Sequence, residues 1–127
     1  MKEVKPKVLI AEDDSIIAFD IKKYLINNGY KVIAIVSYGF KAVDIAKEKK
    51  PNVVLLDIML KGYMNGIEAA EIISKKLKIP VIFLTALTDD ETFLSAKDTK
   101  TYAFISKPFS TDQLEKAIKF VLKVGKY

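Results

Sequence analysis

The 127-residue chain contains no cysteine, no histidine and no arginine. Each absence removes a class of chemistry. Without cysteine there are no disulfides and no thiolate nucleophiles, which fits an expected cytoplasmic location. Without histidine there is no imidazole acid–base catalysis, no histidine metal ligand and no phosphohistidine on this chain. Any metal must therefore be held by oxygen, which favours Mg²⁺ or Mn²⁺ over Zn²⁺. Long apolar runs are missing too: no stretch approaches the roughly 18 residues of a membrane span. The opening residues Met1-Lys2-Glu3-Val4-Lys5-Pro6 lack the apolar region of a signal peptide. No membrane partner is expected.

What is present is one core's worth of apolar residues and a lysine surplus. Half the residues are hydrophobic and 29% are charged, which argues for a single folded domain over 1–127. Twenty-one lysines against sixteen acids give a net charge of +5. The lysines are scattered along the sequence, without a basic stripe or interleaved aromatics, so a solvated basic surface is expected and direct nucleic-acid binding is not.

Five short apolar runs alternate with helical patterns. Lys7-Val8-Leu9-Ile10-Ala11, Asn52-Val53-Val54-Leu55-Leu56, Pro80-Val81-Ile82-Phe83-Leu84 and Ala103 to Ile105 read as buried parallel strands, and Tyr30 to Val36, β-branched and apolar, reads as a further strand. Between them, Ile16 to Ile26, Ala42 to Ala46, Ile67 to Leu77 and Leu114 to Leu122 carry apolar residues at helical spacing. Asp14 or Ser15 is the expected cap of the first helix, Gly29 its terminator, and Ser110 or Thr111 the cap of the last. Thr88-Asp89-Asp90-Glu91 has capping-box spacing and opens a polar fourth helix with only Phe93, Leu94 and Ala96 to anchor it. Strict β/α alternation predicts an α/β fold, a doubly wound five-stranded parallel sheet with helices on both faces.

Ligands bind at the carboxyl ends of such strands. Those ends carry Glu12-Asp13, Asp57, Thr85 and Lys107. Glu12-Asp13-Asp14 supplies three acids where one cap needs one, and two of them near Asp57 would repel unless a cation neutralised them. A divalent cation held by carboxylates and water resolves that conflict. Lys107 precedes Pro108, a turn that aims an ammonium back over the sheet edge, with a cis bond possible there. This is equipment for a metal and a phosphoryl group.

Together Glu12-Asp13, Asp57, Thr85-Ala86 and Lys107-Pro108-Phe109, in order on five β-α units, resemble the receiver domain of two-component response regulators over nearly the whole chain. The resemblance implies the flavodoxin-like strand order 2-1-3-4-5 known for receivers. It implies that Asp57 accepts a phosphoryl group from the phosphohistidine of a sensor histidine kinase or phosphotransfer protein. Asp13, Asp57 and the Met59 backbone carbonyl would ligate Mg²⁺ (or Mn²⁺), with Glu12 acting through water. Lys107 would pair with Asp57, then with the phosphoryl group, and Thr85 would bind another phosphoryl oxygen. Thr85 and Phe104 would form the switch, with Phe104, where tyrosine is common, leaning inward in both states. The output face would combine the fourth helix, the fifth strand and the last helix. It would contact a downstream protein partner or output domain, and a homodimer on phosphorylation is open.

Some features depart from the common receiver pattern. Lys61 replaces a proline, Gly66 falls one residue late, and Lys100-Thr101 replaces a small pair before the fifth strand. The loop from Lys61 to Gly66 is thus a longer variant. Met59 and Leu87, two residues beyond Asp57 and Thr85, are apolar and cannot orient an attacking water, so slow loss of the phosphoryl group is expected. The chain ends just past the last helix, so no output domain is expected within it. Two other classes stay open: a receiver-like interaction module independent of phosphorylation, and a small-molecule phosphatase or phosphotransferase acting through Asp57, against which stands the lack of a cap domain.

Overall fold

A computed structural model describes residues 5–85 and 103–124, apart from the side chains of Thr85 and Val124. Five parallel strands, β1 (Lys7–Ala11), β2 (Lys31–Val36), β3 (Val53–Asp57), β4 (Val81–Thr85) and β5 (Ala103–Ser106), form one sheet in the order β2-β1-β3-β4-β5. The helices are α1 (Ser15–Asn27), α2 (Gly39–Lys49), α3 (Gly66–Glu71) and α4 (Thr111–Val124). Ile72–Lys76 continues α3 as a π-helical turn, closed by Leu77 N–H donating to the Ile72 carbonyl at 3.2 Å. The polar helix expected from Thr88, with Phe93, Leu94 and Ala96, lies outside the described residues, as does Lys100-Thr101.

The side-chain period of two explains why the strands are apolar at consecutive positions. Leu9 and Ala11 of β1, Val54 and Leu56 of β3, and Phe83 of β4 pack toward α2 and α3. Their alternates Val8 and Ile10, Val53 and Leu55, and Ile82 and Leu84 pack toward α1 and α4. Both faces are covered, so every residue of β3 is buried. Each such Val or Leu contributes roughly 1.5–3 kcal/mol from leaving water. α4 presents Leu114, Ile118 and Val121 to that second layer, with Ala117 and Leu122 partly buried beside them.

Helix ends follow local chemistry. Asp14 caps α1, its Oδ1 accepting from the N–H groups of Ile16 and Ile17 at 3.0 and 3.3 Å. Gly29, at φ +87°, supplies the left-handed turn after α1. Ser110 caps α4 reciprocally: Gln113 N–H donates to its Oγ at 3.2 Å, and its own N–H donates to Gln113 Oε1 at 2.9 Å. No helix among the described residues is long and apolar enough to cross a membrane.

Candidate functional site

The parallel sheet delivers its acidic residues to one edge. Ala11 of β1 pairs with Leu56 of β3, which places Glu12 and Asp13 directly beside Asp57. Asp57 in turn pairs with Leu84, and Thr85 with Ser106, which sets Lys107 just past the end of β5. Carboxylate oxygens of Glu12, Asp13 and Asp57 all lie within 4.8 Å of one another. Glu12 and Asp57 are only 1% and 5% exposed, so these charges repel in a poorly solvated place.

Lys107 spans the cluster. Its ammonium lies 3.0 Å from Asp57 Oδ2 and 2.6 Å from Glu12 Oε1. The Asp57 contact is a hydrogen bond. Glu12 Oε1 has no directed hydrogen bond, so its contact with Lys107 is an electrostatic one. Burial pushes the Glu12 carboxyl up to about 7, against the pull of Lys107 and with the help of the Asp57 carboxylate. Burial alone would lower the Lys107 ammonium, but Glu12 and Asp57 outweigh it and hold it above its ordinary value. The peptide bond between Lys107 and Pro108 is cis.

Asp57 is held from its backbone side as well. Met59 N–H donates to Asp57 Oδ1 at 2.9 Å, leaving the thioether side chain 68% exposed at the rim. Gly66 packs onto the main chain of Asp57: a Cβ there would overlap the Asp57 carbonyl oxygen and lie 2.7 Å from Ile58 Cα. Its N–H donates to the Ile58 carbonyl at 2.9 Å. The long loop before it is pinned to the loop after β2, with Lys61 N–H on the Ser37 carbonyl at 3.3 Å. Gly62, at φ +90°, lies against the Tyr38 ring.

Sequence reasoning foresaw Glu12, Asp13, Asp57 and Lys107 at one edge, and the structure brings those four together. Thr85 ends β4 as foreseen, while its hydroxyl lies outside the described side chains. Phe104 is half-buried, its ring 5.3 Å from that of Phe83. Asp14 caps a helix and holds to Glu12, its N–H donating to Oε2 at 3.1 Å. Three features were missed: the Glu12–Lys107 contact, the backbone seat at Gly66, and the reciprocal cap between Asn65 and Glu68 at 2.9 and 3.0 Å. The spacing Asn-x-x-Glu was a readable signal for the last of these.

Beside Lys107 a groove of about 780 Å³ opens between α1 and α4, lined by Ile17, Ile21 and Tyr24 against Pro108, Phe109 and Leu114. Ile16 and Phe19 stand exposed on α1 at 73% and 62%. The donor set is hard oxygen throughout and fits a cation such as Mg²⁺.

A sequence model of the family described as response regulator receiver domain matches residues 8–119. The transcriptional regulatory protein PdtaR of Mycobacterium tuberculosis is 34% identical over 119 residues, covering 94% of this chain and 58% of PdtaR. The phyllosphere-induced regulator PhyR of Methylorubrum extorquens is 32% identical over 121 residues, covering 94% of this chain and 45% of PhyR. The chain thus spans about half the length of the curated relatives it matches. Among solved structures, the signal receiver domain of a modulated diguanylate cyclase from Desulfovibrio desulfuricans G20 superposes with a TM-score of 0.92 at 33% identity, covering 97% of this chain and 98% of that one. A LuxR-family DNA-binding response regulator from Staphylococcus aureus gives 0.84 at 31% identity, covering 92% and 98%.

Proposed function

The chain belongs to the response regulator receiver domain family, and from that premise we propose that Asp57 is its phosphoacceptor, loaded in a Mg²⁺-dependent reaction. The observation that carries this reading is the position of one Asp57 carboxylate, buried at a sheet edge between two further acids and a lysine. A receiver is a signalling module rather than a classical enzyme, and its donor is a histidine kinase or phosphotransfer protein. An Asp57 oxygen attacks phosphorus while the phosphorus–nitrogen bond of the donor's phosphohistidine breaks and the imidazole leaves. The product is an acyl phosphate.

The chain's own residues position and neutralise. Asp13, Asp57 and the Met59 carbonyl would hold the metal, with Glu12 acting through water; when bound, it would offset the negative charge of phosphoryl group and carboxylates. Lys107 lies on Asp57 Oδ2 at 3.0 Å and transfers its contact to a phosphoryl oxygen once the acyl phosphate exists. The Thr85 hydroxyl takes another. The added charge of about −1.5 to −2 draws both residues inward. The donor docks along the exposed Ile16 and Phe19 of α1, beside the groove that opens at Lys107. Output passes through β5 and α4 together with the expected polar helix after Thr88.

Intact-mass measurement after incubation with acetyl phosphate and Mg²⁺ tests this reading. One phosphoryl adduct is expected, absent in Asp57→Asn and in metal-free samples. A folded, Mg²⁺-binding protein that takes no phosphoryl group from acetyl phosphate or from a kinase would instead favour a phosphorylation-independent interaction module.

A further inference from the structure

The lysines are scattered along the sequence, but folding gathers some of them at the sheet edge opposite the phosphoacceptor site. Lys7 and Lys31 open β1 and β2 and are direct partners in the parallel ladder. Lys49 and Lys50 close α2 and lead into β3 through Pro51-Asn52. That junction is tied to β1: Lys7 N–H donates to Asn52 Oδ1 at 2.7 Å, and Asn52 N–H donates to the Lys7 carbonyl at 2.8 Å. The Lys7 ammonium reaches the Lys49 carbonyl at 3.1 Å. Lys78 leads into β4, where Val54 N–H of β3 donates to the Pro80 carbonyl at 3.0 Å. In sheet order the residues fall as Lys31, Lys7, Lys49-Lys50 and Lys78, one station for each of β2, β1, β3 and β4. With strands about 4.8 Å apart, the row is roughly 15 Å long.

Two observations set this row apart from a solvated surface. Lys7 stands directly beside Lys31 in the ladder, an unfavourable like-charge pairing that no acidic partner among the described residues offsets. Lys50 and Lys78 also hold left-handed backbones, at φ 47° and 60°, where glycine is the least strained residue. Helix dipoles account for lysine near a helix C-terminus. They do not account for Lys31 at a strand start, nor for lysine in place of glycine at two positive-φ positions. Glu48 is the acid carried by the stretch just before Lys49.

We propose that this row binds the phosphodiester backbone of a single nucleic-acid strand without sequence preference. A line of point charges matches a linear polyanion better than the plane of a membrane, which is met by a broad patch with apolar anchors. Of the exposed apolar groups that could serve as anchors, Tyr38, Met59 and Tyr63 follow the carboxyl ends of β2 and β3, at the opposite edge, whereas Ile26 and Phe120, toward the ends of α1 and α4, are two single side chains on separate helices. Lysine binds phosphates as a point charge, which suits contact with a backbone and not with base edges.

The test is fluorescence anisotropy of the full chain with labelled oligothymidylate and oligouridylate across a salt series. Four phosphate contacts predict affinity falling roughly 50-fold between about 50 and 200 mM salt, from a slope near 0.7 per contact on single strands. In Lys50→Gly with Lys78→Gly the fall shrinks to roughly 18-fold, as expected for the three stations that keep a lysine, Lys31, Lys7 and Lys49. Glycine relieves both strained positions, so this variant should melt no lower than the parent, and lost binding cannot be lost folding. No binding at about 50 mM salt, an unchanged slope in the variant, or binding only to phosphatidylglycerol vesicles or polyglutamate would overturn the proposal.

Discussion

Replacing Asp13 with asparagine should stabilise the metal-free protein. Two unit charges 4.8 Å apart repel by about 332/(20 × 4.8), roughly 3.5 kcal/mol, and Asp13 faces both Glu12 and Asp57 at no more than that distance. Lys107 offsets the other two acids at 2.6 and 3.0 Å, whereas Asp13 has no ion pair among the described residues. Asp13 is only half-buried, so solvent reduces the relief to about 1–2 kcal/mol. For a domain of this size that raises the melting temperature by roughly 3–10 °C. Adding Mg²⁺ should reverse the ranking. The wild type gains about 2.7 kcal/mol at a hundredfold excess over its dissociation constant, and Asp13→Asn gains less because a ligand is gone. Urea unfolding with chelator and with Mg²⁺ measures both terms. An Asp13→Asn protein no more stable than wild type in chelator would refute the view of this cluster as an electrostatic liability that a cation resolves.

Further outcomes follow from the same geometry. Gly66→Ala should cost more than about 3 kcal/mol by urea unfolding, because its Cβ overlaps the Asp57 carbonyl. Gly29→Ala, with open space around it and only its φ of +87° to strain, should cost about 1 kcal/mol; equal costs would contradict the packing argument. Lys107→Ala leaves Glu12 buried without a cation and should destabilise by roughly 2–4 kcal/mol in the absence of metal, and an unchanged unfolding midpoint would count against the bridge. Burial and the Glu115 acceptor raise Tyr24 from 10.0 to about 12. Its contribution to stability is therefore complete below pH 10 and lost as pH rises through 12. Tyrosinate absorbance should show a late phase that Tyr24→Phe diminishes, Tyr30 being raised by burial too, and that Glu115→Gln moves in part to lower pH; no change in either would reject the contact. Met59→Asn with Leu87→Glu should shorten the phosphoryl lifetime by offering polar groups to an attacking water, and an equal lifetime would reject that role.

The central strands were legible because a doubly covered parallel sheet demands uninterrupted apolar runs, while the edge strand β2, mostly part-exposed, was legible from its β-branched and apolar residues. The ends of those runs located Glu12, Asp13, Asp57 and Lys107 before any coordinates. Orientation around α1 was not legible. Apolar residues occur at 16, 17, 19, 21, 24, 25 and 26, nearly all round the helix, so periodicity could not say that Ile21 and Leu25 face inward while Ile16, Phe19 and Ile26 face water. The π-helical turn at Ile72–Lys76 leaves no mark in a 3.6-residue pattern. The Glu12–Lys107 contact was hidden because β1 and β5 are not neighbours: a long side chain bridges the ends of β3 and β4 between them. Gly66 read as a loop residue, and only its contact with the Asp57 backbone shows why a side chain is excluded. The basic row escaped a linear reading for a related reason, since its members lie far apart in sequence and meet only through strand pairing.

The central claim is that Asp57, and not either neighbouring acid, carries the phosphoryl group. Borohydride reduction of the phosphorylated chain, followed by peptide mass mapping, converts an aspartyl phosphate to homoserine and marks its position. The predicted result is a single homoserine at residue 57 that appears only with Mg²⁺ and phosphodonor present. Homoserine at residue 13 instead, or its appearance without Mg²⁺, would contradict the account.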